Sequence, residues 1–317
     1  MNIPHGQDAS VAVFAFSPSA RTSRGLLVAG ALLAAGLGRS SEYAPEKNPI
    51  PGLGVAMVQI QPGTFTLGRT PGVNEADADE GPVTTVTLTK GFWLGATEVT
   101  VGQWRQFIDA TGYRTDAEKG DGIWVWTGPA APRFTKRAGL SWRNPGFSVK
   151  QDDTHPVVGI SWNDAQKFCS WLTDRERAAG RLRAAHVYTL PTEAQWEYAC
   201  RLGTPGPDPE NLSEVAWWEG NSEKHTHPVG KKKASAWGLY DMYGNVWEWC
   251  VNWDGPYPGG KVTDFRGASS GHVHENRGGG WNSGPGHSTS STNRWDSLDV
   301  DQRRDNLGFR LCLSAGP

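Results

Sequence analysis

Several familiar features are scarce or missing in this 317-residue sequence. Only four cysteines occur, Cys169, Cys200, Cys250 and Cys312, and no two form a C-x-x-C pair. Zinc-ribbon and thioredoxin-like readings are thereby excluded, because both need that spacing. Methionine is rare, with 3 residues. Lys+Arg 31 against Asp+Glu 33 leaves a net charge of −2. Such a balance offers no bulk electrostatic attraction for nucleic acid. The longest apolar run, Gly25 to Gly38, follows Arg21 and Arg24. It is too short to span a bilayer comfortably and has the length of a signal-peptide core. Residues 1–40 therefore read as a signal peptide or N-terminal anchor, and 41–53, with Pro45, Pro49 and Pro51, as a linker. The remainder, 54–317, is the mature domain, and no membrane span is expected in it. The chain is expected to be exported, to the periplasm or beyond the cell, or anchored by its N-terminus. The G-x-S-x-G, P-loop and H-E-x-x-H signatures are absent, as is a G-x-G-x-x-G following a strand.

Tryptophan is abundant instead, with 16 residues, alongside 40 glycines and 21 prolines. Gly and Pro together make about a fifth of the chain, above average but below the level of low-complexity disorder. Large aromatic anchors in a turn-rich chain describe a packed domain with much irregular backbone. Val55 to Gly68 alternates apolar and polar residues around Pro62-Gly63 and predicts a hairpin. Val83 to Leu88 and Phe92 to Leu94 predict further strands. Thr100 opens a helix carrying Trp104, Phe107 and Ile108, which Gly112 ends. Ser161 with Asp164, and Thr192 with Gln195, are spaced as capping boxes for two more. Ala165, Phe168, Cys169 and Leu172 then share one apolar face. Few helices with scattered short strands give an α+β domain rather than a βαβ array.

Three patterns carry candidate chemistry. His225 with His227, and His272 with His274, would share a face on a strand and can chelate a metal there; exposed loop residues are the alternative. The acidic run Glu75 to Glu80 lacks the spacing of a calcium loop and reads as solvated. Gly238 to Cys250, GLYDMYGNVWEWC, sets the oxygen donors Asp241, Asn245 and Glu248 among turn glycines, a composition suited to Ca²⁺.

Seven ordered segments resemble the formylglycine-generating enzyme, or sulfatase-modifying factor, family. They are MVQIQPGTFTLG from Met57, EVTVGQWRQF from Glu98, HPVVGISWNDAQKFCSWL from His155, LPTEAQWEYACR from Leu190, GLYDMYGNVWEWC, RGGGWN from Arg277 and DNLGFRLC from Asp305. The resemblance implies a C-type-lectin-like variant fold with small antiparallel sheets and much irregular structure. It implies calcium held by the Asp241 and Glu248 side chains and the Gly244 and Val246 carbonyls. Asp241 stands where the family usually has Asn. A Cys169–Cys312 disulfide is implied too, although Cys312 falls one residue late and on a strand one residue changes the face. Cys200 and Cys250 are left to pair with each other or stay free.

The resemblance fails at the family's catalytic centre. Formylglycine-generating enzymes bind Cu(I) through two cysteines, activate O₂ and oxidise a substrate cysteine. Counting from RGG, those positions are Ser283 and Ser288, and a family serine becomes Gly280. The pocket tryptophan persists as Trp247, with His287 nearby. A hydroxyl does not replace a soft thiolate for Cu(I). Calcium is thus expected and copper is not. The leading reading is a pseudoenzyme: a binding or scaffold domain for a peptide, protein or glycan at Trp281, Arg294 and Trp295. Two others remain open. One is an enzyme of diverged chemistry that tailors a peptide or metabolite oxidatively; the other is residual activity on a sulfatase cysteine.

Overall fold

The computed structural model describes residues 47–68, 78–130, 132–203, 209, 211–285, 291–295 and 298–315. Short strands come first: β1 (Lys47–Pro49), β2 (Ala56–Ile60), β3 (Gly63–Leu67), β4 (Thr84–Leu88) and β5 (Phe92–Gly95). Helices α1 (Val101–Thr111) and α2 (Asp116–Lys119) follow, then the hairpin β6 (Ile123–Trp126) and β7 (Phe134–Arg137). Next come α3 (Trp162–Ala178), β8 (His186–Thr189), α4 (Glu193–Cys200) and α5 (Leu212–Val215). The C-terminal third holds β9 (Trp247–Trp253), β10 (Gly260–Thr263), β11 (Val273–Arg277), β12 (Leu298–Asp299), β13 (Leu307–Gly308) and β14 (Cys312–Ala315).

These strands form an antiparallel sheet β1-β2-β5-β14-β8, a three-stranded sheet β10-β4-β3, and a four-stranded sheet β12-β11-β9-β13. The hairpin expected over 55–68 does not form. β2 pairs with β1 and β5, whereas β3 pairs with β4, so Pro62-Gly63 passes the chain from one sheet to another. Gly63 is needed there, because a Cβ would run into the Tyr198 hydroxyl.

The helix signals hold in detail. Thr100, Ser161 and Thr192 each cap a helix with reciprocal bonds to the third residue on, and Gly112 ends α1 at φ 65°. Such caps stabilise helices too short to persist alone. α1 and α3 pack Trp104, Phe107 and Phe168 against Phe309, with Trp104 stacked on Phe168 at 5.6 Å. Trp104→Ala is expected to cost about 3–5 kcal/mol, read from urea unfolding. A loss below about 1 kcal/mol would show that this cluster does not anchor the fold.

α4 does more than present Trp196. Its Glu193 and Glu197, one turn apart, are buried and meet Arg277 of β11. Arg201 also bonds Glu197 at 2.7 Å, and Arg294 bonds Glu193 at 2.8 Å. Tyr257 donates to Glu193 at 2.9 Å. This charged network fastens α4, β11 and the 291–294 loop together. Within the acidic run, Glu75 and Asp77 lie outside the described residues. Glu80 is not solvated as expected: it is buried and accepts from the Thr292 hydroxyl at 2.9 Å.

Candidate functional site

Strand β11 leads into the turn that holds Gly280 and Ser283, two of the candidate positions named from the sequence. Gly278 and Gly279 take φ of 102° and 77°, conformations that favour glycine. Gly280 lies against Trp247: a Cβ there would come within 3.1 Å of Trp247 Cδ1. Ser283 closes the turn. Its hydroxyl accepts from the Gly280 N–H at 2.9 Å, and its own N–H donates to the Gly280 carbonyl at 2.9 Å. The Glu219 N–H donates to the Ser283 carbonyl at 3.0 Å. Ser283 is therefore buried and engaged in holding backbone. Ser288 and His287 lie outside the described residues.

The aromatic candidates divide between two places. Trp247 is buried beside the half-buried Trp295, with ring centroids 4.9 Å apart, and Trp295 meets Phe134 at 5.6 Å. The Arg304 guanidinium lies over Phe134 and Trp295, at 4.5 and 4.6 Å from their centroids. Trp281 instead meets Phe147 edge-on at 5.6 Å and lines a cavity of about 440 Å³ together with Trp126, Phe147, Glu219, Lys224 and Asp305. No cysteine is among the residues that line it. Arg294 is not part of this cavity. Its guanidinium is consumed by Glu193, Asp254 and Glu275 and by the carbonyls of Asp79 and Gly255. The sequence reading put Arg294 at the ligand surface; it serves the internal network.

Asp305 is the feature that the sequence reading missed. Its Oδ2 accepts from the Trp126 N–H at 2.9 Å, while Oδ1 is buried without a donor. Burial pushes its carboxyl from the ordinary 3.8 up to about 7, against the pull of that hydrogen bond and of Arg304. The folded protein thus binds this proton more tightly than the unfolded chain. Stability falls as pH rises from about 4 through about 7, by an amount on the order of 4 kcal/mol. Asp305→Asn keeps the acceptor for Trp126 and removes the buried charge. The variant is expected to melt about 8 °C higher than the parent at pH 8 and to match it near pH 4. An equal or lower melting temperature at pH 8 would contradict this account.

The loop read as a calcium site is built tightly. Asp241, Gly244 and Asn245 take φ of 55°, 89° and 60°, and a Cβ on Gly244 would run into the Trp217 carbonyl. Asp241 Oδ2 accepts from Gly230 N–H at 2.7 Å. Asn245 donates to Glu98 Oε1 at 3.0 Å and accepts from His227 N–H at 3.0 Å. Asp241 Oδ1 and Glu98 Oε2 are left buried and without donors. Desolvation raises both: Asp241 to about 6, helped by the Glu248 charge and opposed by Gly230 N–H, Arg310 and a hydrogen bond with Glu98, and Glu98 well above the usual carboxylate range, helped by the Asp241 charge. Glu248 differs. Arg310 bonds both of its oxygens, at 2.7 and 2.8 Å, and the Trp196 indole donates at 2.7 Å. Three buried carboxylates, Glu98, Asp241 and Glu248, therefore share one guanidinium.

The remaining candidates have structural partners. The Cys169–Cys312 bridge does not form: no disulfide joins any of the four cysteines, all of which are buried. Cys169 sits in the core under α3, while Cys312 faces the other core, its sulfur 3.8 Å from Gln195 Oε1. The one-residue displacement of Cys312 accounts for this, since it reverses the face presented by β14. His227 stacks on Trp217 at 3.8 Å and bonds the Ser222 carbonyl at 2.8 Å, in a loop rather than on a strand. His274 is held between Trp162 and Trp253, each 3.9 Å away, and burial lowers its pKa to about 4. His272 is exposed. Among the described residues no three His, Cys, Asp or Glu side chains converge as metal ligands.

Comparison with known proteins supplies the family. A model of the sulfatase-modifying factor enzyme 1-like domain matches residues 43–315. The chain belongs to this family. It is 32% identical to the formylglycine-generating enzyme of Mus musculus over 231 residues, covering 62% of this chain and 58% of that protein. The chain thus spans less than two thirds of that relative. It is 31% identical over 296 residues to the "inactive C-alpha-formylglycine-generating enzyme 2" of the same organism, covering 82% of this chain and 86% of the relative. Among solved structures, PvdO from Pseudomonas aeruginosa superposes with a TM-score of 0.69 at 26% identity, over 86% of this chain and all of that one. The α+β fold with small sheets is that of this family.

Proposed function

We propose that this protein is an exported, calcium-stabilised binding or scaffold domain of the sulfatase-modifying factor family, and not a formylglycine-generating oxidase. The observation that carries the reading is Ser283. The family resemblance puts a hydroxyl at one copper position, and that hydroxyl accepts from the Gly280 N–H. It does not supply the soft thiolate that Cu(I) requires. The sequence puts serine at the other copper position as well, Ser288. The four thiols are buried, and burial raises Cys169, Cys250 and Cys312 above their usual range, which disfavours thiolate. The family's copper therefore does not fit the donors described here. A relative whose printed name calls it inactive supports the same direction.

Calcium is supported by charge. Three buried carboxylates against Arg310 leave an excess of two negative charges when all are ionised, which a divalent cation would offset. Asp241 and Glu98 would hold it, with backbone carbonyls completing the shell, while Glu248 stays with Arg310. Bound there, the ion would lock the 241–248 loop in place. Anaerobic titration of the purified chain with Cu(I) in competition with a chromophoric chelator tests the negative claim. No stoichiometric site is expected, and one tight equivalent would overturn the reading. An export-competent expression with N-terminal sequencing of the product tests export: loss of the apolar run Gly25 to Gly38 is expected.

A second reading rests on Asp305. A carboxyl titrating near neutrality on a cavity wall suits a general acid or base, so an enzyme of diverged chemistry is its competitor.

A further inference from the structure

From the cavity wall we infer that the space beside Trp281 is a binding site for a ligand bearing an ammonium or guanidinium group, such as a basic peptide side chain, with Asp305 as its counter-charge. This rests on the reading of the protein as a binding domain. Three observations carry it. First, Asp305 lines the cavity and is 1% exposed, yet its Oδ1 has no hydrogen-bond donor. A buried carboxylate oxygen without a donor is costly and calls for a partner from outside the chain. Second, the walls include Trp126, Phe147 and Trp281. The faces of aromatic rings attract a desolvated cation, and Trp does so best. Third, the chain's own cation does not fill the role. Lys224 is exposed at the same cavity, but no bond joins it to Asp305. Glu219, also on the lining, adds negative charge.

The volume of about 440 Å³ lies within the range of small-ligand sites and accepts a basic side chain with part of its backbone. The alternative neutral donor, a hydroxyl or amide, would satisfy Oδ1 without using the aromatic walls. Charge therefore decides the class. The groups that set the Asp305 charge are Arg304, which favours ionisation, and the burial that opposes it. Glu219 and Lys224 bring opposite charges at the cavity.

The test uses the full exported chain in calcium-containing buffer at pH 8. Nα-acetyl-lysine amide, Nα-acetyl-arginine amide and the uncharged Nα-acetyl-norleucine amide are titrated by calorimetry, with tryptophan fluorescence alongside. At least one basic amide is expected to saturate, with the norleucine amide weaker by about tenfold or more. Asp305→Asn, which should melt no lower than the parent, is expected to lose that preference. Binding at pH 5.5 should weaken about tenfold, because Asp305 is then protonated. Three results would overturn the inference: equal binding of lysine and norleucine, an unchanged preference in Asp305→Asn, or no saturation by any of the three. These outcomes are distinct from copper binding. A chain that ignores basic amides and also ignores Cu(I) loses this ligand class but keeps the non-oxidase reading. A chain that binds Cu(I) loses that reading whatever the amides do.

Discussion

Arg277→Ala is expected to destabilise the fold by about 3–5 kcal/mol, measured by urea unfolding at pH 7. Arg277 is fully buried, and it bonds Glu193 at 3.1 Å, Glu197, and the carbonyls of Ser291 and Asn293 at 2.7 and 3.0 Å. Removing it leaves two buried carboxylates with Arg201 and Arg294 as their guanidinium partners among the described residues. The same substitution also frees the 291–293 backbone, which the guanidinium holds next to β11. Arg277→Met, which fills the space without the charge, should be nearly as damaging, since the stranded carboxylates dominate the cost. An exposed pair gives the control. Arg105 bonds Asp153 on the surface, and Arg105→Ala should cost less than about 1 kcal/mol. If Arg277→Ala costs no more than that control, the network is not what fastens α4 to β11.

Calcium removal should produce the other large effect. With calcium at about a thousandfold over its dissociation constant, binding adds about 4 kcal/mol. For a domain of this size that corresponds to about 8–16 °C in melting temperature between calcium and EDTA buffers. Glu98→Gln separates a cation from mere burial. It removes one of two neighbouring carboxyls, each of which keeps one buried oxygen without a donor. In EDTA near neutral pH the variant is expected to melt higher than the parent, because the amide carries no ionisable group for burial to penalise. In calcium it should gain less than the parent, because a ligand is gone. Equal melting of the parent in calcium and EDTA would refute the cation at this loop, and Glu98–Asp241 would then be read as a pair that shares a proton.

The sequence was most legible where local rules act. The three capping boxes at Thr100, Ser161 and Thr192 and the Gly112 stop are local hydrogen-bond patterns, and the helices begin and end on them. The apolar face of α3, with Phe168 and Leu172, is equally local and is fully buried. Strand partners were not legible. Alternation around Pro62-Gly63 foretold two strands but not that they join different sheets, because pairing depends on residues far along the chain. Gly238 to Cys250 was read for its oxygen donors and turn glycines, and its last residues belong to the seven-residue β9, which lies inside the C-terminal sheet.

The candidate site divides the same way. Counting from RGG assigned Ser283 and Ser288 to the copper positions; the structure adds that Ser283 holds the Gly280 N–H, while Ser288 lies outside the described residues. Trp281 reaches a cavity, whereas Arg294 does not, because its partners Glu193, Glu275 and Asp254 come from three separate segments. Asp305 was passed over inside DNLGFRLC, where it only marks the start of a family segment. Only the approach of Trp126 from β6 shows that it is buried with one oxygen to spare. Glu98 went unnoticed as a neighbour of Asp241 for a similar reason. It lies 143 residues before Asp241 in sequence, and only the fold makes their carboxylates face.

The most direct measurement of the central claim is oxidation of a cysteine-containing peptide by the copper-treated chain in air, followed by mass spectrometry. The parent is run beside the Ser283→Cys, Ser288→Cys double variant, with Cu(I) and a thiol reductant supplied to both. The account predicts that the peptide keeps its thiol mass with the parent through many enzyme equivalents of incubation. Catalytic conversion of the peptide cysteine to formylglycine by the parent chain would contradict it.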